Sequence, residues 1–196
     1  GSAPDSFFCV CARSARRGPA RTPAETASKR EKGTRPLGTI RKDVSTLQRC
    51  CMVREIYENE LSQLLNLYLS LHEASVPEMT EHLKTTWETI IKDKNHHIIV
   101  NEADNKIVSS CVCVIIPNLT RKVRPYAFIE NVVTLKGYRG KGYATECLNY
   151  AKEIAKAENC YKMMLLTGSK EASILQFYRS AGYNSSDKTA FIQWLE

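Results

Sequence analysis

The stretch Tyr138-Arg139-Gly140-Lys141-Gly142-Tyr143-Ala144-Thr145 decides the fold of this chain. It follows a strand-like apolar run over residues 128–134 and opens an amphipathic helical pattern. The first N–H groups of a helix have no acceptor within the helix, and the helix dipole favours negative charge there. Gly140 and Gly142 let the backbone approach a ligand closely. The order of strand, glycine-rich turn and helix therefore predicts a phosphate-binding site.

The spacing of the glycines separates this turn from two common phosphate sites. A P-loop needs G-x-x-x-x-G-K-[ST], and a dinucleotide fingerprint needs G-x-G-x-x-G. Here Gly140 and Gly142 are followed by Ala144 and Thr145, so neither pattern is met. The turn instead resembles the [QR]-x-x-G-x-[GA] signature of the GNAT superfamily of acyl-CoA-dependent N-acyltransferases, with Arg139, Gly142 and Ala144 at the three defined positions.

The resemblance extends along the chain in both directions. The run 129–134 is similar to the fourth strand of that family, and residues 160–166 to its fifth strand. The segment 174–183 is similar to the helix that carries F/L-Y-x-x-x-G-F/Y, which includes Tyr178. Four linked features in the family's order support the assignment more strongly than any one motif.

The resemblance implies a mixed α/β (α+β) fold. Its central sheet is mostly antiparallel, is splayed between strands four and five, and is flanked by about four helices. Periodicity along the chain is compatible with this order. It predicts strands over Met52–Tyr57, His96–Asn101, Lys106–Ile116, Tyr126–Thr134 and Thr189–Leu195, and helices that begin near Leu61, Met79, Gly142 and Ile174.

The same resemblance implies acetyl-CoA as co-substrate and no metal. In the family the pantetheine arm pairs with strand four and the pyrophosphate lies on the glycine-rich turn. Carried onto this chain, the expected cofactor-binding residues are Val132, Val133, Thr134, Arg139, Gly140, Lys141, Gly142, Tyr143, Ala144 and Thr145.

Two side chains are the candidate catalytic groups. Glu130 is the expected base for a protonated amine, directly or through a water, because a carboxylate in an apolar strand must be solvated or paired. The alternative is that Glu130 only binds the cationic acceptor or forms a salt bridge. Tyr178 matches the family's general acid near the departing sulfur. It also belongs to a helical stripe with Ile174, Phe177 and Ala181 that is typical of core packing.

The acceptor is less defined by the sequence. Asn131, His72 and Glu73 are, with Glu130, the expected acceptor-binding residues. The strand 129–133 and residues 158–162 are similar to glucosamine-phosphate N-acetyltransferases, which implies a small amine such as an amino sugar phosphate. Family likeness does not fix a substrate. A protein N-acetyltransferase acting on lysine or an N-terminus, and a non-catalytic acyl-CoA-binding module, remain alternatives.

Charge divides the chain unevenly. The 196 residues carry a net charge of +7. Residues 1–49 hold eleven Lys and Arg against four Asp and Glu, while the rest holds seventeen of each. We therefore expect 1–51 to be a disordered basic extension, at least partly a tag or non-native leader, and 52–196 to be the catalytic domain. A neutral domain gives no reason to expect nucleic acid as a partner.

The spacing of the cysteines and the hydropathy of the chain indicate the cellular compartment of the protein. Eight cysteines occur without Cys-x-x-Cys spacing, and no apolar run approaches the roughly 20 residues of a membrane span. We expect reduced thiols in a cytoplasmic protein that does not associate with membranes. A homodimer is left open.

Overall fold

In the computed structural model, which describes residues 52–71 and 74–195, five strands form one sheet in the order β1-β2-β3-β4-β5. Neighbouring strands are antiparallel except β4 and β5, which are parallel. This arrangement confirms the expected mixed, mostly antiparallel sheet. The strands are β1 Met52–Glu55, β2 His96–Ala103, β3 Lys106–Ile116, β4 Tyr126–Thr134 and β5 Met163–Leu165.

Four right-handed α-helices and two short 3-10 helices accompany the sheet in the described part of the chain. The α-helices are α1 Leu61–Tyr68, α2 Glu81–Lys92, α3 Tyr143–Ala157 and α4 Ala172–Ser180, and the 3-10 helices are Glu58–Glu60 and Lys136–Tyr138. The segment Thr120–Val123 is a left-handed turn, since Arg121, Lys122 and Val123 all have positive φ. Two large apolar clusters fill the space between helices and sheet, and a smaller third one contains Tyr143. Leu64 and Leu67 of α1 pack with Trp87 of α2 in one cluster, and Cys147 and Leu148 of α3 belong to the other.

Helix α3 is placed by its apolar stripe. Cys147, Leu148, Ala151 and Ala155 are buried at helical spacing, so one face of the helix lies on the sheet. The first turn is also attached to β2, because buried Asn101 donates through Nδ2 to Glu146 Oε2 at 2.5 Å. These contacts fix where the helix begins, which matters because its N-terminus is part of the candidate site.

A bulge in β4 creates the splay of the sheet. Ser110 pairs with Val133 and Val112 with Glu130, so β4 has one more residue than β3 between these pairs. Within the bulge Asn131 adopts a left-handed φ of 50°. An extra residue turns the following side chains to the opposite face. Accordingly Ile129 belongs to the cluster under α3, whereas Val133 belongs to the cluster under α1.

Four sequence-based expectations for strands need correction. The first strand ends at Glu55 rather than Tyr57, and the second extends to Ala103 rather than Asn101. The fifth strand spans Met163–Leu165 rather than 160–166, because β4 pairs with it only over Ala127–Ile129, ahead of the bulge. The prediction of a last strand over Thr189–Leu195 is wrong, because these residues have no strand partner and are exposed. A turn built on Asn184 precedes them, whose Oδ1 accepts from the N–H groups of Ser186 and Asp187.

The described cysteines are free thiols. Cys111, Cys113 and Cys147 are buried, and Cys160 is half-buried. Burial raises the pKa of Cys113 and of Cys147 to about 12, which makes these thiols inert at neutral pH. Among the described helices, none is both long and apolar enough to cross a membrane. The expected extension 1–51 lies outside the described residues.

Candidate active site

A cavity of about 580 Å³ opens where β4, the glycine-rich turn, α4 and the end of α1 meet. Its walls bring together most of the residues that the sequence singled out. They are Ser70, Leu71, Val132, Val133, Thr134, Tyr138, Arg139, Gly140, Gly142, Tyr143, Ala144, Thr145, Ile174, Phe177 and Tyr178. Residues more than 100 positions apart in the chain therefore face one space.

The glycine-rich turn has the backbone that an anion site requires. Gly140 and Gly142 have φ of 73° and 93°, a region that side chains with Cβ rarely adopt. Gly142 stands at the N-cap of α3, and its carbonyl accepts from Glu146 N–H at 3.0 Å. The N–H groups of the residues between Gly142 and Glu146 have no acceptor within the helix itself. The helix therefore presents its positive end to the cavity.

Side chains within and beside the turn hold its shape. Arg139 Nε donates to Thr134 O at 3.1 Å, and Lys141 Nζ donates to Gly137 O at 2.9 Å. The Tyr138 hydroxyl donates to Asp104 Oδ2 at 2.9 Å, which joins the turn to the β2–β3 hairpin. The hydrogen bond to Asp104 raises the pKa of Tyr138. Both cations stay at the surface beside the proposed phosphate position, where positive charge favours an anion.

The far half of β4 offers an open backbone edge to the cavity. β5 pairs with β4 only at Ala127, Phe128 and Ile129. From the bulge onward the β5 side of β4 has no strand partner in the described structure, and Val132, Val133 and Thr134 line the cavity there. Unpaired N–H and C=O groups on a strand edge are available for an extended ligand.

Tyr178 enters the site from α4. Its ring packs against Phe177, with centroids 5.0 Å apart, and meets Tyr183 edge to face at 6.2 Å. Tyr178 therefore packs against the core under α3, as the helical stripe predicts, and also lines the cavity, as the family motif predicts. Burial raises the pKa of Tyr178, and Cys111 and Glu130 add to the rise. The hydroxyl therefore keeps its proton at neutral pH.

The acceptor-side candidates are spread out. Glu130 and Asn131 are exposed on β4 and lie outside the cavity lining. Glu130 is nevertheless close enough to Tyr178 to act on its pKa. Partial burial raises the pKa of Tyr68 to about 12, and the nearby Asn131 side chain opposes this rise. Lys141 also stands outside the lining, and His72 and Glu73 lie outside the described residues.

Five lining residues were not among the predicted site residues. Tyr138 immediately precedes the signature, and Ile174 and Phe177 belong to the stripe interpreted as core. Ser70 and Leu71 follow α1 and complete the cavity lining. Only the end of the α1 periodicity marked their position, and that signal does not distinguish a cavity wall from an ordinary loop.

Residues 59–183 match the model of the acetyltransferase (GNAT) family. The chain belongs to this family, as its sheet, bulge and glycine-rich turn also indicate. The described residues contain no group of three or more His, Cys, Asp or Glu that could hold a metal ion.

Three relatives illustrate the likeness. A putative acetyltransferase from Agrobacterium tumefaciens is 37% identical with a TM-score of 0.68, and the match covers 73% of this chain and 99% of that one. Glucosamine 6-phosphate N-acetyltransferase from Trypanosoma brucei brucei is 30% identical over 91 residues, which are 46% of this chain and 60% of the relative. The aminoglycoside N-acetyltransferase AAC(6')-Iy in complex with CoA shares the fold at 13% identity, with a TM-score of 0.62 over 75% of this chain and 96% of that one.

Proposed function

We propose that the protein is an N-acetyltransferase that transfers the acetyl group of acetyl-CoA to a primary amine of a small molecule, by direct attack in a ternary complex. The observation that carries the proposal is the cavity itself. There the open edge of β4, the positive end of α3 and the Tyr178 hydroxyl face one space. Membership of the acetyltransferase family supports the same reaction.

Acetyl-CoA would supply an activated thioester. Val132, Val133 and Thr134 would pair with the pantetheine arm through their backbone, and one N–H of this edge would polarise the thioester carbonyl. The turn from Arg139 to Thr145 would hold the pyrophosphate through backbone N–H groups, with Arg139 and Lys141 adding positive charge. All of these groups are fixed by the fold before a ligand arrives, which lowers the entropic cost of binding.

Tyr178 would act as the general acid. As the amine nitrogen bonds to the carbonyl carbon, the C–S bond breaks and the sulfur takes a proton from the Tyr178 hydroxyl. The raised pKa of Tyr178 keeps this proton available at neutral pH. Before the attack, Glu130 would take one proton from the ammonium form of the acceptor, directly or through a water, which frees the nitrogen lone pair. As the amide forms, the nitrogen would give up a second proton, which restores the Tyr178 hydroxyl, so that protons and charge balance.

The acceptor would enter the cavity beside Ser70 and Leu71. Glu130 and Asn131, together with His72 and Glu73, would recognise its cationic amine. Two relatives with small amine substrates in their names, an amino sugar phosphate and an aminoglycoside, favour a small molecule over a protein acceptor.

The test is a thiol-release screen of the full chain with acetyl-CoA against amino sugars and their phosphates, aminoglycosides, polyamines, amino acids and peptides. We expect turnover with one class of small amine. Turnover confined to peptides would favour a protein N-acetyltransferase. Acetyl-CoA binding without turnover on any amine would favour a non-catalytic acyl-CoA-binding module.

A second test concerns the base. Glu130→Gln keeps the size of the side chain and removes its charge, so turnover should fall most at low pH, where the acceptor amine is hardest to deprotonate. A rate loss that is the same at every pH would contradict the role of Glu130 as base and leave it as an acceptor contact.

A further inference from the structure

The bulge in β4 depends on a residue in a sparsely populated backbone conformation. Asn131 has a left-handed φ of 50° and lies between two cross-strand pairs, Val112 with Glu130 and Ser110 with Val133. Asparagine enters this region more readily than most residues with a Cβ, yet still at a cost. Such a conformation persists only where surrounding contacts hold it. The contacts around Asn131 therefore decide whether the bulge keeps its shape.

Tyr68 covers this part of the sheet. It is the last residue of α1 and packs against the apolar cluster that contains Val112 and Val133. Those two residues flank the bulge, one on each strand. The phenol of Tyr68 therefore approaches the bulge from the α1 side of the sheet.

Two polar side chains lie beside the Tyr68 hydroxyl. Ser110 shares a face of β3 with Val112, because side chains alternate along a strand and Cys111 belongs to the other cluster. Ser110 is fully buried, and its Oγ forms no hydrogen bond within the described residues. Partial burial raises the pKa of Tyr68, and the Asn131 and Ser110 side chains both oppose this rise, as polar groups near the phenol oxygen do. The hydroxyl thus lies close both to the bulge residue and to the buried serine of the neighbouring strand.

We propose that Tyr68 is a positioning residue for acetyl transfer, an inference that rests on the proposed function. Its hydroxyl holds Asn131 in the left-handed conformation and so fixes the bulge. The bulge sets the direction of the strand edge at Val132 and Val133, which line the cavity. One N–H of that edge would polarise the thioester carbonyl, and a small misplacement of such a donor lowers the rate of the chemical step.

The backbone of Tyr68 also reaches the acceptor side. Leu71 N–H donates to Tyr68 O at 2.8 Å, and Ser70 N–H donates to Leu67 O at 2.9 Å. Ser70 and Leu71 line the cavity where the acceptor would enter. Tyr68 therefore connects the acceptor side, through its carbonyl, with the strand edge expected to hold the thioester, through its side chain.

The first experiment compares two tyrosines that contact β4 or belong to it. Tyr68→Phe keeps the ring against the cluster and removes only the hydroxyl. We expect kcat to fall at least about tenfold, while CoA affinity and melting temperature stay at the parental values, because the glycine-rich turn is untouched. Tyr126→Phe is the matched control. Tyr126 is half-buried at the start of β4, packs edge to face on Tyr161 and lies outside the cavity lining, so its variant should keep the parental kcat.

A second variant separates positioning from general packing. Glycine adopts a positive φ without help from a neighbour, so Asn131→Gly removes the need for the Tyr68 hydroxyl. Asn131→Gly also removes an expected acceptor contact and should itself be slower than the parent. In that background Tyr68→Phe should change kcat by less than about twofold. The same tenfold loss in both backgrounds, or a parental kcat in Tyr68→Phe, would overturn the proposal.

Amide hydrogen exchange tests the bulge without reference to turnover. With CoA at saturation, residues 131–133 of Tyr68→Phe should exchange at least about tenfold faster than in the parent chain, and those of Tyr126→Phe at the parental rate. If the parent chain acetylates no amine, the proposed function fails, and faster exchange would still support the hold of Tyr68 on the bulge. Unchanged exchange in Tyr68→Phe would overturn that hold whatever the turnover.

Discussion

The cofactor side and the acceptor side of the cavity differ in what determines their geometry. On the cofactor side the glycine-rich turn has two left-handed glycines, and side chains of the turn are hydrogen-bonded to Thr134, Gly137 and Asp104. On the acceptor side Ser70 and Leu71 belong to a connection after α1, and Glu130 and Asn131 are exposed. The first side recognises a chemical group common to a family, whereas the second depends on loop side chains. Tyr178 stands between the two sides.

The largest expected effect therefore belongs to Tyr178. Tyr178→Phe keeps the aromatic packing against Phe177 and Tyr183 and removes only the hydroxyl. We expect turnover to fall by roughly 10²- to 10⁴-fold, the usual contribution of a positioned general acid, while affinity for CoA and thermal stability stay the same. Steady-state kinetics and calorimetry measure the three quantities.

Tyr183→Phe is the control for that substitution. The Tyr183 hydroxyl is buried and has no hydrogen-bond partner among the described residues. Its removal should leave turnover close to that of the parent chain. Equal losses in both variants would mean that Tyr178 acts through packing, and the acid would then have to be water or another side chain.

A smaller effect is expected from Gly142→Ala on the cofactor side. A residue with Cβ at a φ of 93° costs on the order of 1–2 kcal/mol, so the turn should relax away from the shape that presents its N–H groups. We expect about a tenfold loss of CoA affinity, measured by calorimetry.

Gly182→Ala provides a matched comparison for Gly142→Ala. Gly182 has nearly the same φ, 92°, but lies after α4 and outside the cavity lining. Both variants should lose similar thermal stability, and only Gly142→Ala should lose CoA affinity. Equal affinities in the two variants would remove the turn from the cofactor site.

The contrast between the two sides also explains what the sequence could predict. The turn, α3 and β4 were predictable because glycine at positive φ, helical apolar spacing and an apolar strand each have a local physical cause. The bulge at Asn131 was not, since it appears only when β4 is paired with β3. Ser70 and Leu71 could not be predicted as cavity residues, because a loop side chain lines a cavity only through packing between elements that are distant in sequence. The strand pattern of Thr189–Leu195 was real, yet a pattern does not specify its partner.

A modest effect on stability is expected at high pH from Tyr68, which is half-buried near the acceptor side. Its pKa is about 12 in the folded protein against an ordinary value of 10.0. The folded state therefore keeps a proton that the unfolded state has lost, and stability falls as the pH rises from 10 to 12. At pH 11 this amounts to about 1.4 kcal/mol.

Urea unfolding at pH 9, 10 and 11 tests this contribution, with Tyr68→Phe as the comparison. Buried Cys113 and Cys147, also with pKa of about 12, lower stability from about pH 9 in both chains and cancel in the difference. The variant should show the shallower decline above pH 10. Equal declines of the free energy of unfolding in the two chains would mean that the Tyr68 hydroxyl is solvated in the folded protein. Water would then reach the acceptor side more freely than its burial indicates.

The smallest expected effect comes from removing residues 1–51. All of the excess charge lies in residues 1–49, and the residues that follow are formally neutral. Every contact described for the site is made by residues from Met52 onward. A chain that begins at Met52 should therefore keep the melting temperature and the CoA affinity of the full chain at 0.15 M salt.

At low salt the full chain should bind CoA slightly more tightly than the shorter chain. The positive extension attracts the anionic ligand over a distance set by the Debye length, which salt shortens. A melting temperature several degrees lower for the shorter chain would show that the extension packs on the domain, and the two sides of the cavity would then have to be compared again with that contact included.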